Sequence, residues 1–137
     1  MAVNFFYNYN RQIDPPAPFV NIVVQSPKGR TIFVNNPALI DPGAGCSVIT
    51  PQMAEQLQPP RTGTIHVSGY KGKGEFTALY RVNIEIHNWV FREVEVIVGD
   101  DNYAIIGRDI LNHFDLRLNG IDGKLEFLRG PQAQIVF

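Results

Sequence analysis

One carboxylate stands out for where it sits. Leu39 and Ile40 run straight into Asp41, followed by Pro42, Gly43, Ala44 and Gly45, and then by Cys46, Ser47, Val48 and Ile49. An acidic group at the end of a buried strand is costly unless it is hydrogen-bonded. Gly43 lets backbone approach closely, and Ala44 and Gly45 leave space beside the carboxylate, a setting for acid–base chemistry. Taken alone, the segment reads equally as an Asx-type turn between two strands. A second feature, Ala104-Ile105-Ile106-Gly107-Arg108-Asp109-Ile110-Leu111, repeats the step from an apolar run into small and charged residues. Between the two lies a glycine-rich stretch, Gly69-Tyr70-Lys71-Gly72-Lys73-Gly74.

Other chemistries fit less well. Cys46 as a nucleophile needs a nearby His and an orienting group, and His66, His87 and His113 stand in no such signature. Cys46 therefore reads as a small residue lining the loop, and the three histidines as surface strand or turn residues. They also lack a metal spacing such as His-Glu-X-X-His. The glycine-rich stretch has no Gly-X4-Gly-Lys-Ser/Thr pattern and no helix after it, so it is not a nucleotide-phosphate loop. Asp100-Asp101 reads as a solvated turn. Asp122-Gly123, followed by Lys124, reads as a hairpin turn rather than a second reactive loop.

The elements that must position Asp41 are short. The chain has 137 residues, a length that suits one domain, with 12 glycines and 10 prolines to punctuate it. Asp14-Pro15-Pro16-Ala17-Pro18 is too rich in proline for a helix or a central strand, so residues 1–18 read as an arm and 19–137 as the domain. Residues 19–24 and 30–34 flank Pro27-Lys28-Gly29 as a hairpin. Asn35-Asn36-Pro37 reads as another turn. Thr50 can cap a helix with Pro51 at its first position, running to Leu57 and stopped by Pro59-Pro60. Residues 64–67, 76–86, 90–98, 104–106, 115–118 and 124–127 read as strands, and 108–114 as a short helix. Trp89 is expected in the core or against the base of the glycine-tipped hairpin. Many short strands with one or two short helices point to an all-β barrel or sandwich. A formal net charge of −1 argues against a dedicated nucleic-acid binder. A lone cysteine excludes an intrachain disulfide. No apolar run approaches membrane-spanning length, and the aromatic, amide-rich N-terminus has no signal-peptide pattern. A soluble, cytoplasmic protein is the expectation.

The Asp41 loop, the Gly107-Arg108-Asp109 segment and the glycine-tipped hairpin, in that order and spacing, resemble the retropepsin family of aspartic proteases over about residues 19–127. The resemblance implies an all-β, closed retropepsin-like barrel with a flap hairpin and one or two short helices. It implies a homodimeric endopeptidase without cofactor or metal, in which Asp41 from two copies activates one water. Asp41 is then catalytic, in an active-site loop with Pro42, Gly43 and Ala44. Gly45, Val48 and Ile105, with Ile49, and the flap tip Gly69, Tyr70, Lys71 and Gly72 would bind an extended peptide or protein. Gly107, Arg108 and Asp109 would support the site. Phe5, Phe6 and Tyr7 at one end and residues 135–137 at the other would help the dimer. Two departures stand against this pattern. Pro42 replaces the family's Thr or Ser, and supplies neither a hydroxyl nor an N–H. Gly45 replaces an Asp common in viral members, which leaves Arg108 to find a partner in Asp109, Asp14 or a backbone carbonyl. Because of Pro42, the alternative is a weak or inactive retropepsin-like domain used for dimerisation or peptide binding.

Overall fold

The structure is a computed structural model describing residues 2–28, 32–68, 74–132 and 135–136. In chain order these hold β1 (Ala2–Asn8), β2 (Phe19–Gln25), β3 (Ile32–Ile40), β4 (Val48–Ile49), α1 (Pro51–Leu57), β5 (Arg61–Val67) and β6 (Glu75–Ile86). Then come β7 (Trp89–Val98), β8 (Ala104–Ile106), α2 (Arg108–Leu111), β9 (Asp115–Asn119), β10 (Lys124–Arg129) and β11 (Ile135–Val136). Six strands close a barrel in the order β7-β4-β8-β3-β2-β6, with β6 pairing back onto β7. Closure removes the open edges that a flat sheet would expose. This is the expected all-β closed barrel with short helices. Among the described residues, no helix is long and apolar enough to cross a membrane.

Two long strands bend to make closure possible. In β3 a register shift lies opposite Ile22 to Val24, and Asn35 takes a positive φ of 55° there. In β7 a shift lies opposite Val82 to Ile84, where Glu93 has φ 52° and its N–H donates to Asn83 Oδ1 at 2.8 Å. An extra residue on one strand kinks it and increases twist. This corrects the reading of Asn35-Asn36-Pro37 as a turn. The turn-forming residues are absorbed as a bulge, and β3 runs through them unbroken to Ile40.

Strand β6 belongs to two structures. Its second half pairs with β2 and β7 and alternates buried and half-buried from Val82 to Ile86. Among the described residues, Glu75 to Leu79 of its first half pair only with β5, from Gly63↔Leu79 to Val67↔Glu75, and include no buried residue. The β5–β6 hairpin thus leaves the barrel wall. The proposed tip residues Gly69, Tyr70, Lys71 and Gly72 lie outside the described residues.

A separate three-stranded sheet, ordered β1-β10-β9, covers one side. Phe5 of β1 stacks on Phe127 of β10 at 4.7 Å, and Phe114 meets Phe127 edge-on at 5.2 Å. Trp89, 2% exposed, packs on Phe114 at 5.0 Å, and its indole N–H donates to Pro131 O. Trp89 is a core residue, not a hairpin-base residue. Helix α1 follows its sequence signals. Thr50 Oγ1 accepts from Met53 N at 3.1 Å, Pro51 opens the helix, and Met53 and Leu57 face the core. Thr50→Ala is expected to lower unfolding free energy by about 1 kcal/mol through loss of this cap, measured by urea denaturation.

Candidate active site

Two apolar strand ends deliver the site. β3 and β8 run parallel, with Leu39 beside Ile105 and Ile40 beside Ile106. At this end both strands are apolar, with Ile40 and Ile106 buried in the core and Leu39 and Ile105 half-buried. The ladder continues one residue further, as Asp41 N donates to Ile106 O at 3.0 Å. The chain then turns. Asp41 Oδ1 accepts from Gly43 N at 2.9 Å, and Asp41 O accepts from Ala44 N at 3.1 Å. Asp41 is half-buried and its carboxylate is fixed through Oδ1, with no hydrogen bond to Oδ2 among the described residues. A side chain at Gly43 would come within 3.1 Å of Asp41 Oδ1, so glycine keeps that oxygen in place. This is the Asx-type turn of the sequence reading.

Gly107 is required by proximity. A Cβ there would sit 2.8 Å from Ala44 O and 3.0 Å from the Cys46 carbonyl, both backbone. The segment after β8 therefore lies flat against the Asp41 loop. Arg108 N donates to Ala44 O at 2.8 Å, and Arg108 Nη1 donates to Pro42 O at 2.7 Å. A backbone carbonyl is thus the arginine's partner, and the three alternatives open in the sequence are resolved. Gly45 lies beside it, with its Cβ position 3.5 Å from Arg108 Nη2, an ordinary contact.

Sequence reasoning missed Ser47. It is fully buried and ties the end of the Asp41 loop to Gly107 and Asp109. Its hydroxyl donates to Asp109 Oδ1 at 2.8 Å and accepts from Gly107 N at 3.0 Å, and its N–H donates to Asp109 Oδ2 at 3.1 Å. Asp109 also accepts from Ile110 N at 3.0 Å, opening α2. The signal was available: a hydroxyl residue inside an apolar run needs a partner when buried.

Val48 and Ile105 are cross-strand partners and both half-buried. Ile49 is different. It is 1% exposed and belongs to the core, so it lines no cleft. Cys46 lines a cavity of about 380 Å³ with Gly45, Phe91 and Ile110. Burial, then the Asp109 and Glu95 carboxylates, push its thiol up to about 11. His66, His87 and His113 are all exposed, in a strand, a turn and the turn after α2 respectively. Asp100 and Asp101 lie in an exposed bend, and Asp122 is held in its turn by Asn119. A second cavity, of about 340 Å³, lies on the Pro42 side of the loop.

A barrel in which an Asp-X-Gly loop is clamped by a Gly-Arg-Asp segment is the architecture of retropepsin-like aspartic proteases. The model of the family described as "gag-polyprotein putative aspartyl protease" matches residues 34–113, more than half of the chain, and the chain belongs to that retropepsin-like family. The fold is similar to that of a retropepsin-like aspartic protease from Rickettsia conorii, at 18% identity and TM-score 0.64, covering 96% of this chain and 94% of that one. It is also similar to EIAV protease complexed with the inhibitor HBY-793, at 22% identity and TM-score 0.55, covering 77% and 92%. No curated protein sequence matches the chain.

Two outcomes test the local geometry. Ser47→Ala leaves the buried Gly107 N–H without its acceptor and should lower stability by about 2 kcal/mol, read from a urea melt. Below pH 11 the Cys46 thiol stays protonated, so at pH 8 it should react with iodoacetamide many times more slowly than an exposed cysteine.

Proposed function

We propose that the chain is a homodimeric aspartic endopeptidase, built from two copies that each contribute Asp41. The observation that supports this most is the Asp41 carboxylate itself: half-buried, fixed through one oxygen, at the junction of two parallel strands in a retropepsin-like fold. The sequence has one loop of this kind. Two carboxylates across a two-fold axis would share a proton, because like charges at that distance cannot both ionise. One takes a proton from water as the water oxygen attacks the scissile carbonyl carbon. The other donates a proton to the carbonyl oxygen, and the leaving amine is protonated as the C–N bond breaks.

The supporting residues fall into place around that step. Gly45, Val48 and Ile105 line the path of an extended peptide, which pairs by backbone hydrogen bonds as an added strand. The β5–β6 hairpin, with Gly69, Tyr70, Lys71 and Gly72 at its tip, closes over the substrate and excludes water. Pro42, Gly43 and Ala44 shape the loop, and Gly107, Arg108 and Asp109 brace it. In this reading residues 19–137 are the protease domain and 1–18 an arm that lies along β10.

A second reading rests on Pro42, which has no N–H or hydroxyl to hold a partner loop. It makes the chain a retropepsin-like dimerisation or peptide-binding domain without turnover. A peptide library incubated from pH 4 to 7 separates the two. The protease reading expects cleavage with a bell-shaped pH dependence centred below neutrality. Asp41→Asn should reduce it by at least about a hundredfold. Cleavage that persists in Asp41→Asn removes the protease reading. No cleavage by either the wild type or Pro42→Thr favours the binding domain.

A further inference from the structure

Strand β6 passes from the barrel to the hairpin at Tyr80. That residue pairs with Val96 of β7 on one side and with Arg61 of β5 on the other. At this point β5 carries an extra residue. Arg61 faces Tyr80 and Gly63 faces Leu79, so Thr62 is one residue too many for the ladder. A bulge leaves its extra residue unpaired and re-aims the side chain. The Thr62 hydroxyl donates to Glu95 Oε2 of β7 at 2.9 Å. Since β5 and β7 flank β6, this bond straps across β6 where the hairpin begins. Among the described residues, no other hydrogen bond joins β5 to a strand other than β6.

Charge placement keeps this carboxylate available. Arg81 stands directly opposite Glu95 in the β6–β7 register, yet its guanidinium pairs with Glu93, at 3.8 Å. A hydroxyl donating to a carboxylate makes a charge-assisted bond, stronger than a neutral one. Between two packed strands an exposed bond of this kind would add little. Here the packing beneath it is incomplete. The 380 Å³ cavity is lined by Ile65 and Leu79 of the hairpin and by Phe91 and Ile110 of the barrel and α2, with Glu95 among its walls. Side chains that face a void lose the contacts that would hold them. A polar tie then carries the restraint that apolar packing does not.

We infer that Thr62 and Glu95 form a latch that fixes the angle at which the β5–β6 hairpin leaves the barrel. The inference rests on the reading of that hairpin as a lid over Asp41, and it makes both residues positioning residues. Glu95 also reaches the other side of the site, because the Cys46 thiol meets its backbone carbonyl at 3.5 Å. One residue therefore touches both the lid and the end of the Asp41 loop. A hairpin free at its base samples many angles, and ordering it on substrate binding costs entropy. A latched hairpin is ordered beforehand, and its closure is confined to the tip.

The test reads hairpin motion and cleavage separately. Backbone hydrogen exchange is followed in wild type, Thr62→Val, Thr62→Ser and Glu95→Ala, with peptide cleavage measured alongside. Thr62→Val keeps the side-chain shape and removes the donor. Thr62 is half-buried and Glu95 exposed, so the variants keep the fold. In Thr62→Val and Glu95→Ala the amides of residues 63–67 and 75–79 should exchange at least about threefold faster, with those of β2 and β3 unchanged. Thr62→Ser should restore wild-type exchange. KM should rise by about threefold with kcat nearly unchanged, the signature of a lost binding restraint. Unchanged exchange in Thr62→Val overturns the latch. So does a Thr62→Ser variant that exchanges as fast as Thr62→Val, or acceleration that spreads through β2 and β3. Faster hairpin exchange with KM unmoved in a cleaving enzyme overturns the positioning role. A wild type that cleaves peptide while its hairpin ignores Thr62→Val removes the latch and leaves the protease reading standing. A hairpin that Thr62→Val loosens and Thr62→Ser restores, in a chain that never cleaves peptide, does the reverse.

Discussion

The hydrogen bonds between Ser47 and Asp109 hold two distant stretches of chain in one unit. Ser47 is fully buried and its N–H and hydroxyl both donate to the Asp109 carboxylate, at 3.1 and 2.8 Å. The same hydroxyl receives Gly107 N–H. A carboxylate that accepts from a hydroxyl and from backbone makes charge-assisted bonds, stronger than neutral ones. Remove them and the return from the Asp41 loop into β4 is free of the turn that leads from β8 into α2. The barrel would keep its hydrophobic core, because Phe91, Ile106 and Ile110 are buried independently. What would go is the fixed relation between the loop and the strand beside it, and that relation orients Asp41.

The glycines act with that lock rather than alongside it. Gly107 admits the Ala44 and Cys46 carbonyls to within 3.0 Å of where its Cβ would be, close enough for the Ser47 hydroxyl to reach its N–H. Arg108 then closes the loop from outside by gripping the Pro42 carbonyl. Strand pairing, close backbone approach and side-chain hydrogen bonds therefore converge on a few residues on either side of Asp41. Such convergence restrains a carboxylate without burying it fully, which would favour its neutral form and remove it from the reach of water.

Much of this was legible in the residues, for identifiable reasons. Thr50 and Pro51 announced α1, because capping chemistry is local. The apolar runs Ala38-Leu39-Ile40 and Ala104-Ile105-Ile106 announced buried segments, but not that they pair side by side. Asn35-Asn36-Pro37 misled, since turn-forming residues serve equally in a bulge, and only the closure of the barrel decides which. The partner of Arg108 was undetermined because a backbone carbonyl carries no sequence signal. Ser47 was overlooked because a small hydroxyl residue between Cys46 and Val48 looks unremarkable until its complete burial is known. Ile49 was assigned to the cleft from adjacency alone, yet in a strand the neighbours Val48 and Ile49 point to opposite faces.

Pro42 is where the family pattern and this chain part, and magnitudes bear on how much that matters. A neutral hydrogen bond contributes roughly 0.5–1.5 kcal/mol net, so a symmetric pair lost across an axis is worth about 1–3 kcal/mol. Within the subunit, Pro42 fixes its own φ and restricts Asp41 to extended backbone, lowering the entropy lost on ordering the loop. The Arg108 bond to Pro42 O adds a charged donor at 2.7 Å, discounted because the guanidinium is exposed. These terms are of the same order as the loss. The loop is therefore ordered by its own chain, and in the proposed dimer the proline's cost falls on contact between copies rather than on the loop itself.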